Sequence, residues 1–252
     1  MNPLHEALRA GHAKPRRHSA AARRVLVAGG GGALGAAVME RLLASRRVAQ
    51  VAVLVTQPLN VALRGLVTLP HQALAEAPRR TPVEDLAVIV FDRDRHANGR
   101  EAAFLRPDPA ALAVLAGQLR QRGVRDLLVV MPHAPATLPD ALKRGLANLD
   151  EHAVAVLGFD HLVIVRSAHA SAAVRAVSAP QRVANWVLSQ LHLMIPQRDK
   201  PVRAGKVAEF CVQLAMRLHD SPNGTRIVPP EVVWEAAHAP DMERFASEWL
   251  RG

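Results

Sequence analysis

Four consecutive glycines, Gly29 to Gly32, stand between the apolar run Val25 to Ala28 and a stretch with Leu34, Val38 and Leu42 at helical spacing. Gly29, Gly32 and Gly35 fall at G-x-x-G-x-x-G spacing, and Gly30, Gly32 and Gly35 also satisfy G-x-G-x-x-G. Glycines at a strand-to-helix turn let a phosphate approach the backbone, where the N–H groups of the first helical turn hold it. A Cβ at those positions would block the approach or forbid the turn. Gly29, Gly32, Ala33, Leu34 and Gly35 are therefore the candidate contacts for the diphosphate of a dinucleotide. A flexible loop is the alternative, and the strand before and the helix after weigh against it.

The residue that reads the adenosine ribose belongs at the end of the second strand. An acid there favours NAD, and an arginine accommodates the 2′-phosphate of NADP. The strand ends in Thr56 and Gln57 with no acid, and Arg64 is the nearest cation. Thr56 and Arg64 join the candidate contacts, and the choice between NAD and NADP tips slightly toward NADP. Phe91 and Asp92, at the tip of the fourth strand, are expected near the adenosine or the nicotinamide.

Other reactive side chains form weaker patterns. Asp92, Asp94 and His96 match no strong metal-ligand spacing, and Arg93 and Arg95 balance the two acids, so no metal site is assigned. Cys211, between Phe210 and Val212, reads as a core residue of a helix. As the lone cysteine it cannot form an internal disulfide, which fits a reducing cytoplasm.

These candidates need a frame to hold them. Strands are expected at 25–28, 48–55, weakly at 65–70, then at 85–91, 126–131 and 161–165. Helices are expected at 33–45, 108–123 and near 138–157, the second with Asp108 as N-cap, Pro109 in the first turn and Gly123 past the end. The segment 70–84 reads as a loop or short helix. Alternating strands and helices predict an α/β, Rossmann-type doubly wound parallel sheet with helices on both faces.

Composition narrows the function classes. The 252 residues are half hydrophobic, enough for one large core, and no run of about 18 apolar residues marks a transmembrane helix. The net charge is +10, of which residues 1–24 supply +5 from six Lys or Arg against Glu6. Aromatic residues make up 3% and tyrosine is missing, so stacking platforms for single strands are scarce and specific nucleic-acid binding is not expected. Residues 1–22 read as a basic, disordered tail and 23–252 as one NAD(P)-binding domain. The basic N-terminus has no apolar stretch after its arginines and makes a poor secretory signal, so a cytoplasmic location is expected.

The chain resembles an atypical short-chain dehydrogenase/reductase, and more closely the TIP30-like NAD(P)H-binding oxidoreductases. Four stretches carry the likeness: "VLVAGGGGALG" at the turn, "FLRPDPAALAVLAGQLRQRGVRDLLVV", "LGFDHLVIVR", and "KPVRAGKVAEFCVQLA" with "GTRIVPPEVV" as C-terminal helix and closing strand. Together they span roughly residues 23–236. The resemblance implies a catalytic serine after the fifth strand and a Y-x-x-x-K on the next helix. Matched through Glu151, the family's tyrosine falls on Lys143, its lysine on Ala147, and its serine on Met131 or Pro132. Reduction of a carbonyl needs a proton partner at the developing alkoxide, and the usual one is missing. His133 and Lys143 are the weak candidates to replace it, and Ser167 and Ser171 lie beyond the catalytic helix. The reading is a dinucleotide-binding protein, catalytically impaired and acting as a binding or regulatory module. The alternative is an NADPH-dependent reductase of a small carbonyl with relocated acid chemistry.

Overall fold

Valine-rich segments pair into one parallel sheet. The computed structural model describes residues 22–61, 63–75, 84–92, 99–132, 151–167 and 202–252. Its strands are β1 (Arg23–Ala28), β2 (Val48–Val55), β3 (Leu66–Pro70), β4 (Leu86–Val90), β5 (Asp126–Pro132), β6 (His161–Ser167) and β7 (Gly224–Val228). They run in the order β3-β2-β1-β4-β5-β6-β7, every neighbouring pair parallel. The order reverses between β1 and β4, which opens a crevice at the carboxyl ends of those two strands.

Helices cover both faces. Val25 and Val27 of β1 pack toward α1 (Ala33–Ala44), α3 (Ala204–Ala215), α4 (Pro230–His238) and α5 (Met242–Arg251). Leu26 and Ala28 point the other way, into a layer with Leu112, Leu115 and Leu119 of α2 (Leu112–Gln121) and with Val154. Two covered faces explain why the central strands are continuously apolar rather than alternating. Phe210 and Phe245 meet edge to face at 6.0 Å, joining α3 to α5. The Rossmann-type architecture and the expected strands are those observed, and even the weak third strand forms.

Local signals set several boundaries. Asp108 Oδ1 accepts the Ala110 N–H at 3.0 Å, Pro109 opens a 3₁₀ turn that runs into α2, and Gly123 takes φ +97° beyond its end. Of the segment 70–84, His71–Leu74 forms a single 3₁₀ turn. The helix expected near 138–157 is seen over 151–155, and its earlier part lies outside the described residues. So does the expected tail at 1–22, apart from exposed Ala22.

The amino ends of the strands are tied by a buried ionic network. Arg23 Nε donates to Asp85 Oδ2 at 3.1 Å, and the same guanidinium pairs with Asp126 Oδ2. Its Nη1 donates to the Ala215 carbonyl at 3.0 Å. His161 Nδ1 lies 2.8 Å from Asp126 Oδ1, and its Nε2 lies 2.9 Å from the Ser221 carbonyl. Asp126 and His161 are buried, so the network joins β1, β5 and β6 to the ends of α3 and of the loop before β7. Among the described residues no helix is long and apolar enough to cross a membrane.

Candidate functional site

β1 ends at the crevice and the glycine turn begins there. Gly29 takes φ +93°, a conformation that side chains rarely adopt, and a Cβ on it would stand 2.0 Å from the Val90 carbonyl oxygen. A Cβ on Gly35 would stand 1.8 Å from the Gly29 carbonyl oxygen, so α1 packs against its own entry turn only because residue 35 is glycine. Gly30 and Gly31 are also pressed: added Cβ atoms would meet Met39 Sδ and the Glu101 carbonyl oxygen, each at 2.8 Å. The fold itself needs glycine at these positions of the turn.

α1 starts with unusual chemistry. Gly32 is its N-cap and supplies no side-chain acceptor, and the first turn carries no acid of its own. The first-turn N–H groups are the part of a helix that lacks internal acceptors and favours negative charge. Asp92, just past the end of β4, fills that need from across the crevice: its Oδ2 accepts the Leu34 N–H at 2.7 Å. A Cβ on Gly32 would lie 2.2 Å from that same oxygen. Leu34 takes part through its amide, since its side chain is fully buried beneath α1.

The remaining candidates separate. Thr56 stands at the carboxyl end of β2, on the crevice side, where its N–H (2.8 Å) and its hydroxyl (3.3 Å) both donate to the Ala103 carbonyl. Phe104 forms an antiparallel bridge to Val55, and Leu105 N–H donates to the Leu54 carbonyl at 2.9 Å. The chain after β4 thus folds back over the end of β2. Phe91 follows β4 at the crevice, but its side chain, only 3% exposed, packs away from it into the α2 layer. Arg64 lies at the opposite edge of the sheet. Gly65, next to it, receives the Val51 N–H on its carbonyl at the start of β3, whereas the crevice lies past Pro70, roughly 20 Å further along the strand. Gly29, Gly32, Ala33, Leu34, Gly35, Thr56 and Asp92 are brought together; Arg64 is not, and Phe91 turns its side chain away.

The catalytic positions are described only in part. Met131 and Pro132 end β5 where the resemblance requires a serine, and neither side chain carries an acid or a hydroxyl. His133, Lys143 and Ala147 lie outside the described residues, as do Asp94 and His96. Glu151 is bound on both oxygens by Arg166 of β6, with contacts of 2.7 and 3.0 Å, so it is held in an ion pair. Sequence reasoning missed this pair, whose members lie 15 residues apart on a helix and a strand with no local pattern to join them. Cys211 is fully buried, which pushes its thiol up to about 12 and removes it as a nucleophile. Among the described residues no group of His, Cys, Asp and Glu could hold a metal ion.

A cleft of about 420 Å³ lies away from the crevice, lined by Arg41, Arg47, Glu209, Arg217 and Glu243 among others. Its charges are largely internal: Arg217 pairs with Glu243 and donates to Ser247 Oγ at 2.7 Å, and Arg41 stands 3.6 Å from Glu209. Burial pulls the Arg217 guanidinium below its ordinary range, against the opposing pull of Glu243.

No protein-family model matches the chain, and no curated protein does. Solved structures do. A short-chain dehydrogenase family protein from Francisella tularensis is similar at a TM-score of 0.50 and 15% identity, over 83% of this chain and 97% of that one. A short-chain dehydrogenase/reductase superfamily protein from Agrobacterium tumefaciens, solved with bound NAD, gives 0.47 at 16% identity, over 81% and 77%. A UDP-N-acetylglucosamine 4-epimerase from Bacillus cereus gives 0.48 at 14% identity, over 89% and 82%. At these identities the likeness is one of fold: a seven-stranded Rossmann-like sheet shared with short-chain dehydrogenase/reductase proteins.

Proposed function

We propose that this chain is a nicotinamide-dinucleotide-binding protein of the atypical, TIP30-like short-chain dehydrogenase/reductase type, catalytically impaired and acting as a binding or regulatory module. The observation that carries the reading is the glycine turn at the sheet's switch point, with the amides of Ala33 and Leu34 opening α1 beside it. The glycines let the turn pack closely enough to bring the α1 amides to the crevice, and amides at a helix N-terminus are the donors that a diphosphate uses, so the residues fit the group. The dinucleotide, when bound, would supply or accept hydride. The chain's own contribution would be to bind the diphosphate on the α1 amides and the ribose near Thr56.

The impaired half of the reading rests on Met131 and Pro132 at the serine position and on a chain without tyrosine. A positioned proton donor contributes about 10²- to 10⁴-fold, and stabilising the alkoxide a comparable factor. Arg64, the only support for NADP over NAD, stands at the far edge of the sheet, so the two cofactors are not ranked.

Calorimetric titration with NADH and NADPH tests the binding. Saturable heat is expected with a Kd in the micromolar range, about −7 to −8 kcal/mol. Gly32→Val should abolish it, because the new side chain would collide with Asp92 and force apart the turn that presents the α1 amides. No saturable heat from either cofactor at millimolar ligand overturns the reading. A panel of aldehydes and ketones tests the chemistry, with no substrate-dependent NADPH oxidation expected. Turnover lost in His133→Ala or Lys143→Ala would instead establish a reductase with a relocated acid.

A further inference from the structure

We propose that Asp92 is an affinity-determining residue of this dinucleotide site: an internal anion that holds the diphosphate's place on α1 and must be displaced before the ligand binds. The inference rests on the functional reading above and adds to it a chain-encoded competitor.

Three observations converge. The Leu34 N–H, one of the two amides assigned to the diphosphate, already donates to Asp92 Oδ2 at 2.7 Å. The same carboxylate lies 2.2 Å from where a Cβ of Gly32 would stand, so the space that glycine leaves open is filled by Asp92 itself. α1 has no acid in its first turn and a side-chain-free N-cap, so Asp92 is the negative charge that its N-terminus would otherwise draw from a ligand. The ribose side shows the same occupancy, with the Thr56 amide and hydroxyl both committed to the Ala103 carbonyl.

A diphosphate arriving at Leu34 meets a carboxylate already bonded there. It must break that bond and then sit beside the displaced charge, in partly buried surroundings where like charges repel more strongly than in water. Nothing about the glycines requires this. A neutral residue at position 92 would leave the amide to the ligand. The carboxylate thus lowers affinity for any ligand that places phosphate at this turn and makes binding coincide with movement of the residue that follows β4.

The test is a titration of the full chain, Asp92→Ala and Asp92→Asn with NADH and with ADP-ribose, which carries the diphosphate without nicotinamide. Asp92→Ala should bind both ligands at least about tenfold more tightly than the native chain, ~1.4 kcal/mol. Asp92→Asn keeps an oxygen for the Leu34 amide and loses the charge, so it should fall between the two and guards against a folding defect in the alanine variant. Tighter binding of ADP-ribose places the effect at the diphosphate. Native and variant chains binding with equal affinity overturn the inference and leave the functional reading standing. Saturable binding by the variants alone supports the inference and overturns that reading for the native chain. No binding by any folded form overturns both.

Discussion

The two edges of the sheet use carboxylates in opposite ways. At the amino edge, Asp126 is buried and shared between Arg23 and His161, and Arg23 is held in turn by Asp85 and the Ala215 carbonyl. Arg23, Asp126, His161 and Ala215 all lie in strands or a helix, so the network acts as a clasp. At the carboxyl edge, Asp92 is half-buried and has one described partner, the amide of Leu34. The same chemical group is enclosed where a guanidinium and an imidazole ring both hold it, and meets a single backbone amide where it faces a helix end. On the inference drawn above, a carboxylate whose only described partner is a helix amide is one that a ligand could displace.

That contrast can be broken most forcefully at the clasp. Asp126→Ala would leave the Arg23 guanidinium and the His161 ring facing each other without the acid between them, and losing one partner of a buried pair costs about 3–5 kcal/mol. Urea unfolding should show the loss as a lower midpoint, while dinucleotide affinity measured below the transition stays that of the native chain. A matching fall in affinity would show that the two edges are coupled. Asp92→Ala should do the reverse, costing about 0.5–2 kcal/mol of stability as a lost helix cap while ligand affinity rises. Stability unchanged within error would mean that water replaces the carboxylate at Leu34 without penalty. The smallest effect is expected at Arg64, exposed at the start of β3. Arg64→Ala should leave the ratio of NADPH to NADH affinity within about 0.5 kcal/mol of native, and a selective loss of NADPH binding would move the ribose site away from the end of β2.

The turn was legible in the sequence because its constraint is local: four glycines bracketed by a strand and a helix leave few other uses. The strands were legible for the same reason, each being a short run of Val, Leu and Ile closed by a turn. Asp92 was placed correctly at the tip of β4, but its contact spans 58 residues, and nothing near it in sequence points to Leu34. Its arginine neighbours in sequence, Arg93 and Arg95, balance its charge locally and give no sign of that distant amide. Arg64 shows the converse relation between sequence and space. It is close in sequence to the end of β2 but far from it in space, because the chain travels the length of the sheet before β3 begins. α5 went unread although Met242, Phe245, Ala246, Trp249 and Leu250 repeat at helical spacing. The family likeness stopped near residue 236, and the polar face of this helix hid the stripe that packs it against α3.

Cys211 has a consequence for how the molecule can be handled. Its thiol lies wholly inside the α3 layer and holds its proton until about pH 12, against an ordinary value of 9.0. Between those two values the unfolded chain ionises and the folded one does not, so the native state is favoured fully below the lower and loses that advantage as alkalinity climbs toward the upper. At neutral pH the folded chain therefore offers no reactive sulfur of its own. A cysteine introduced at an exposed position such as Val156 would be the sole address for a dye or spin label.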